Sequence, residues 1–188
     1  MSFYQDAKNV HDYIASCAEY DGESLQKIIQ HSIPMQGKLL ELGAGPGNDI
    51  SFLNKYFDYT GSDCAEPFLQ HLRNHYPSHD FVHLDATSLP ADPKFDVIYS
   101  NKVLHHLDTE KLKRSLEQQQ KKLHPNGWLV HTFWAGEGFE VFHELHFQYY
   151  KTAQLQQLFE RDFRVVNIES YGEFAKKDSL VVIAQLMP

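Results

Sequence analysis

Leu39-Leu40-Glu41-Leu42-Gly43-Ala44-Gly45-Pro46-Gly47 decides how the rest of the chain is read. A short apolar run ends in an acid and gives way to three glycines at alternate positions. The run reads as a buried strand. Glycines after it let the backbone turn tightly and approach a ligand closely, where a Cβ would clash. A helix from about Asn48 to Phe57 is expected next. Gly-x-Gly-x-Gly alone is a weak signal, and its place between strand and helix strengthens it.

Downstream, short apolar runs keep alternating with amphipathic stretches. Tyr59–Ser62, Phe81–Leu84, Phe95–Tyr99 and Trp128–Trp134 read as strands, and Glu66–His75, Thr109–Leu123 and Thr152–Glu160 as helices. Pro125-Asn126-Gly127 reads as a turn, and 136–148 as a loop or short helix. Phe163–Ile168 and Leu180–Ile183 lack a long helix between them and are expected to form an antiparallel hairpin at one sheet edge. Upstream, residues 4–33 read as helical with a break near Asp21-Gly22. The alternation predicts an α/β fold with a mainly parallel sheet.

In such sheets ligands bind outside the carboxyl ends of the strands. The glycine loop ends the first strand, Asp63 the second, Asp85 the third, and Asn101 the fourth. Asp63 stands where an acid reaches ribose hydroxyls. Four successive strands thus bring polar groups to one edge. The dinucleotide fingerprint wants its last glycine where Asn48 stands, and Glu41 before the loop repels a pyrophosphate. That carboxylate suits a ligand carrying an ammonium or a sulfonium.

These stretches, with Leu84-Asp85-Ala86, Val103-Leu104-His105-His106-Leu107 and Leu123-His124-Pro125-Asn126-Gly127-Trp128, resemble the class I S-adenosylmethionine-dependent methyltransferases. The resemblance is nearest to the branch with ubiquinone- and sterol-type small-molecule enzymes, and it covers about residues 38–134. It implies a Rossmann-like seven-stranded, mostly parallel sheet with an antiparallel last strand and helices on both faces. It also implies S-adenosyl-L-methionine as cofactor, with Glu41, Gly43, Ala44, Gly45 and Gly47 around its methionyl part. Asp63 is implied for the ribose, Cys64, Asp85 and Ala86 for the adenine, and Ser100 and Asn101 for the methyl-donor end. The implied reaction is in-line displacement by a small-molecule acceptor.

The chain reads as one domain over 1–188. Its parts are an N-terminal helical cover (1–36), a cofactor-binding core (37–135), a substrate-side insertion (136–150), and a C-terminal helix and hairpin (151–188). His105 and His106 are candidate bases, because imidazole titrates near neutrality, and Asn101 shares a face with His105 if both lie on a helix. The aromatic-rich stretch after the fifth strand supplies Trp134, Phe139, Phe142 and Tyr149 as candidate substrate contacts, with Tyr4, His11 and Tyr13 from the cover.

Composition bounds the alternatives. The 188 residues carry a formal net charge of -8, which disfavours nucleic acid and anionic membrane as partners. Two cysteines fit a reducing compartment, and the absence of a leader pattern or long apolar run predicts a cytoplasmic protein without membrane insertion. Of the 12 histidines, His71/His75 and His143/His146 pair at helical spacing without a third ligand nearby, so no metal is expected. A nicotinamide-dependent oxidoreductase and a non-catalytic S-adenosylmethionine-binding module remain the competing readings.

Overall fold

The computed structural model describes residues 3–187. Strand β1 (Lys38–Leu42) is followed by α3 (Ile50–Leu53), β2 (Asp58–Asp63), α4 (Glu66–His75), β3 (Asp80–His83) and β4 (Phe95–Ser100). Then come α5 (Thr109–Lys122), β5 (Leu123–Ala135), β6 (Phe139–Phe142), β7 (Leu145–Tyr150), α6 (Thr152–Phe159), β8 (Phe163–Tyr171) and β9 (Ser179–Leu186). Ahead of β1 lie α1 (Ala7–Ser16) and α2 (Glu23–Ser32), which meet at Gly22, a left-handed residue with φ of 63°.

The strands order as β3-β2-β1-β4-β5 in parallel, with β9 antiparallel beside β5 and β8 antiparallel beside β9. These seven strands follow the expected plan with its reversed last strand, and β7, pairing in parallel with the end of β5 and carrying β6, extends the sheet to nine. Alternation within β1 explains the two-sided burial. Leu39 packs into a cluster with Leu25, Ile29, Leu69 and Leu72 of α2 and α4. Leu40 and Leu42 pack on the opposite face with Leu112, Leu116, Leu155 and Phe159 of α5 and α6. Helices therefore cover both faces.

Three local expectations need correction. The helix after the glycine loop runs for one turn only, because the chain turns through Asn54–Tyr56 to begin β2 at Asp58. Pro125-Asn126-Gly127 does turn, with Asn126 at φ 63°, but inside a longer strand. There it forces a register shift between Phe95↔Leu123 and Val97↔Trp128. Residues 136–138 are loop, but the rest of the stretch to 148 is strand and turn. Strands β6 and β7 form an antiparallel hairpin whose two turn residues, His143 and Glu144, both have positive φ (48° and 64°). Such primed turns usually announce themselves with Asn-Gly or Gly, and neither is present.

Candidate active site

A cavity of about 540 Å³ opens at the carboxyl ends of β1, β2 and β4. Its floor is the glycine loop. Gly43, Gly45 and Gly47 all have positive φ (69°, 50° and 86°), for different reasons. A Cβ on Gly43 would sit 2.6 Å from Val103 Cγ2, and one on Gly47 would meet Tyr76, Ile50 and Leu72. A Cβ on Gly45 would meet no atom closer than 3.9 Å, so the space above Gly45 belongs to the cavity. Gly43→Ala combines left-handed strain with overlap and is expected to cost about 2–4 kcal/mol. Gly45→Ala adds only the strain, about 1–2 kcal/mol. Thermal denaturation should therefore show at least twice the loss for Gly43→Ala, and equal losses would contradict this packing.

Three buried carboxylates line the cavity: Glu41, Asp49 and Asp63. Glu41, at the end of β1, accepts from Tyr59 Oη at 2.5 Å, and burial pushes its carboxyl up to about 8. Asp63, at the tip of β2, accepts from the Gly45 amide at 3.0 Å and the Ala65 amide at 2.9 Å. It thereby ties the glycine loop to the start of α4. Burial raises its pKa against those amides. Asp49 was not singled out from sequence. It accepts from Tyr99 Oη at 2.8 Å, Asn101 Nδ2 at 3.0 Å and Tyr20 Oη at 3.5 Å, and burial raises it too. An acid at the head of the apolar stretch Ile50–Leu53 reads as a helix cap, yet Asp49 makes no capping bond. That mismatch is visible only in three dimensions.

Asn101 stands between elements. Its Nδ2 also donates to Tyr20 Oη at 2.8 Å, and its Oδ1 accepts from Thr132 at 2.6 Å. Tyr20, from the segment joining α1 and α2, was likewise missed. Beyond Asn101, Lys102 adopts a left-handed backbone (φ 53°). Its ammonium is buried and ion-paired with Glu173, donates to Ser179 Oγ at 2.9 Å, and lies 4.1 Å from the centroid of Trp134.

The two adjacent histidines part company. His106 lines the cavity. Its Nδ1 lies 2.8 Å from the His146 carbonyl of β7, and only an N–H can bond a carbonyl oxygen, so Nε2 keeps the lone pair. Burial holds its pKa below the usual imidazole value. His105 is 2% exposed, stacks on Phe147, and lies outside the cavity lining. Neither of its ring nitrogens finds a partner among the described residues.

Of the residues singled out from sequence, Tyr4, Tyr13, Trp134, Ala44 and Cys64 line the cavity. Several other expected residues do not. Ser100 points into a buried chain and bonds His131 Nδ1 at 2.8 Å. Asp85 is exposed and accepts from its own turn, from Thr87 N and Oγ1, both at 2.7 Å. Ala86 beside it and Gly47 below the loop also lie outside the lining. His11 is exposed on α1. Phe139 and Phe142, 66% and 62% exposed, lie on the outer strand of the hairpin, and Tyr149 bonds Glu140 at 2.6 Å. No residue of the hairpin lines the cavity, and β7 reaches the lining through the His146 carbonyl at His106 and the pairing of Tyr149 with Trp134. Among the described residues no group of three His, Cys, Asp or Glu side chains is placed to hold a metal, and no helix is long and apolar enough to cross a membrane.

Residues 39–127 match the family described as "Methyltransferase domain". A malonyl-[acyl-carrier protein] O-methyltransferase of Methylococcus capsulatus is 35% identical over 127 residues, 64% of this chain and 46% of the relative. The chain thus spans less than half of that curated relative's length. Among solved structures, a Burkholderia thailandensis 1,6-didemethyltoxoflavin-N1-methyltransferase with bound S-adenosylhomocysteine superposes with a TM-score of 0.81. It is 18% identical, covering 96% of this chain and 85% of that one. A glycopeptide N-methyltransferase superposes with a TM-score of 0.74 at 18% identity, covering 90% of this chain and 91% of that one. At such identity the likeness is one of fold. Residues 39–127 are thus similar to a methyltransferase domain, and the fold is the one these solved methyltransferases share.

Proposed function

We propose that this methyltransferase domain moves a methyl group from S-adenosylmethionine to a small acceptor within the cavity above Gly45. One observation carries the reading: a cavity walled by buried carboxylates over a bare glycine floor, which suits a cation carrying ribose and excludes a pyrophosphate. Its volume lies in the range of cofactor pockets. The same charge argues against the nicotinamide reading. The cofactor, when bound, supplies an electrophilic methyl group on a sulfonium.

The chain's own residues do the rest. Asp63 holds the ribose hydroxyls with lone pairs left free by the two amides. Glu41 and Asp49 hold the ammonium and keep the methionyl end electrostatically anchored, with Gly43 and Ala44 of the loop beneath it. Cys64 borders the adenine. Asn101, fixed by Tyr20 and Thr132, aligns the methyl-donor end. His106 Nε2 takes a proton from the acceptor. Tyr4, Tyr13 and Trp134 wall the acceptor side, and positioning of this kind supplies much of the rate. The segment 3–36 serves as a cover, since Tyr4, Tyr13 and Tyr20 all reach the cavity from it.

Thermal shift tests the reading. S-adenosylmethionine or S-adenosylhomocysteine at a hundred times its dissociation constant should stabilise the protein by about 2.7 kcal/mol. NAD should give no shift. A shift with NAD and none with the adenosyl compounds would sink the reading.

A further inference from the structure

Among the described residues, six carboxylates line the cavity: Glu19, Asp21, Glu41, Asp49, Asp63 and Glu173. Against them stands one ammonium, Lys102, already paired with Glu173. S-adenosylmethionine brings one net positive charge, so the filled cofactor half leaves the cavity negative. The imbalance survives protonation of all three buried carboxyls, Glu41, Asp49 and Asp63. Glu19 and Asp21 are exposed, at the mouth, where they set the potential an arriving molecule meets.

The wall of the acceptor half is aromatic as well, and the chain itself demonstrates what that wall accepts. Lys102 Nζ lies 4.1 Å from the Trp134 centroid and 5.1 Å from that of Tyr171. Ring faces of this kind attract cations and give a carboxylate nothing. Phe174, 76% exposed at the edge, lies 6.0 Å from Trp134 and extends the aromatic surface outward.

We infer that the methyl acceptor is a small amine, arriving as an ammonium, and not a carboxylate or a phosphate. The inference rests on the methyltransferase reading and names its substrate class. The charge balance is met within the site. The ammonium gives its proton to His106 Nε2, the freed nitrogen lone pair forms the new N–C bond, and the electron pair of the broken C–S bond stays on sulfur. One proton is released per turnover.

The test uses the whole protein saturated with S-adenosylhomocysteine, so that only the acceptor half is free. Isothermal titration then compares matched probes that differ in the charged group: phenethylamine against 3-phenylpropanoate, and tyramine against its acid analogue. Each amine is expected to bind at least about tenfold tighter than its acid, a difference of about 1.4 kcal/mol. The preference should shrink as salt rises. It should shrink also in the doubly substituted Glu19→Gln/Asp21→Asn protein, whose exposed changes leave the core intact. Glu173→Gln, which strips Lys102 of its counter-charge, should narrow the preference further or reverse it. Equal affinities, preference for the acids, or no binding of either class overturns the amine assignment while the cofactor reading stands. Failure of S-adenosylhomocysteine itself to bind overturns both.

Discussion

Replacing Asp63 with alanine is expected to weaken S-adenosylmethionine binding by about a hundredfold, measured by titration calorimetry. The carboxylate is buried at the tip of β2 and makes two bonds, to the amides of Gly45 and Ala65. Under the proposed function it also accepts from the ribose. Hydrogen bonds to a charged group contribute about 1.5–3 kcal/mol each, and a hundredfold corresponds to about 2.7 kcal/mol. The substitution therefore removes the ribose acceptor and frees the glycine loop at once. Asp63→Asn separates the two effects. The amide keeps one oxygen, which can hold Gly45 or Ala65, and loses the charge the hydroxyls use. Its stability should lie nearer the parent's than that of Asp63→Ala, while its affinity falls almost as far. The effect should appear in KM for the cofactor more than in kcat, because the ribose is bound alike in the ground and transition states. A dissociation constant unchanged by Asp63→Ala would remove the ribose assignment and leave Asp63 as a loop anchor only.

Much of this was legible in the sequence because it depends on local pattern. Alternation in Leu39–Leu42 gives the two faces of β1, and the acid at Asp63 falls where strand periodicity ends. What escaped was set by partners distant in the chain. Asp49 reads as a helix cap, and its role follows only when Tyr99 and Asn101, 50 and 52 residues away, converge on it. Tyr20 lies in an irregular segment with no periodicity to exploit. The resemblance implied both Ser100 and Asn101 at the methyl-donor end, but neighbouring residues along a strand face opposite sides, and Ser100 turns to His131. His105 and His106 split for a related reason: a short 3-10 turn points the first inward and the second toward the cavity. The hairpin at 139–150 was missed because its turn uses His143 and Glu144 where glycine or asparagine is usual.

The second large effect expected is acid lability carried by the chain of buried polar groups behind Ser100. His131 is fully buried. Its Nε2 bonds Gln119 Oε1 at 2.8 Å, and Ser100 Oγ lies 2.8 Å from Nδ1. Gln119 Nε2 in turn donates to Ser115 at 3.0 Å, which fixes its oxygen toward the imidazole. His131 must then donate through Nε2 and accept through Nδ1, which is the neutral ring. Burial pushes its pKa from 6.5 down to about 3. His105, buried and without a bonding partner among the described residues, is held well below 6.5 as well. The unfolded chain takes up these two protons below pH 6.5 and the folded one does not, so stability is present above that pH and lost as pH falls toward about 3. Each group contributes a slope of about 1.4 kcal/mol per pH unit. Glu41 works the other way. Its folded pKa is raised from 4.5 to about 8, so the stability of its protonated form is present below 4.5 and lost as pH rises toward 8. Asp49 and Asp63, also raised by burial, act in the same sense as Glu41, and His106, also lowered, in the same sense as His131, so single substitutions are needed to separate the contributions. Urea titrations over an acid limb from pH 4 to 6.5 and a second range from 6.5 to 8 read these contributions when each variant is compared with the parent. Glutamine at 131 can accept from Ser100 and donate to Gln119 without titrating, so His131→Gln should flatten the acid limb by about one proton. Glu41→Gln should make the slope of stability against pH more positive by about one proton from 4.5 to 8, steepening the upper part of the acid limb and reducing any decline above 6.5. An acid limb of unchanged slope in His131→Gln would show that this ring does not remain neutral in the folded protein.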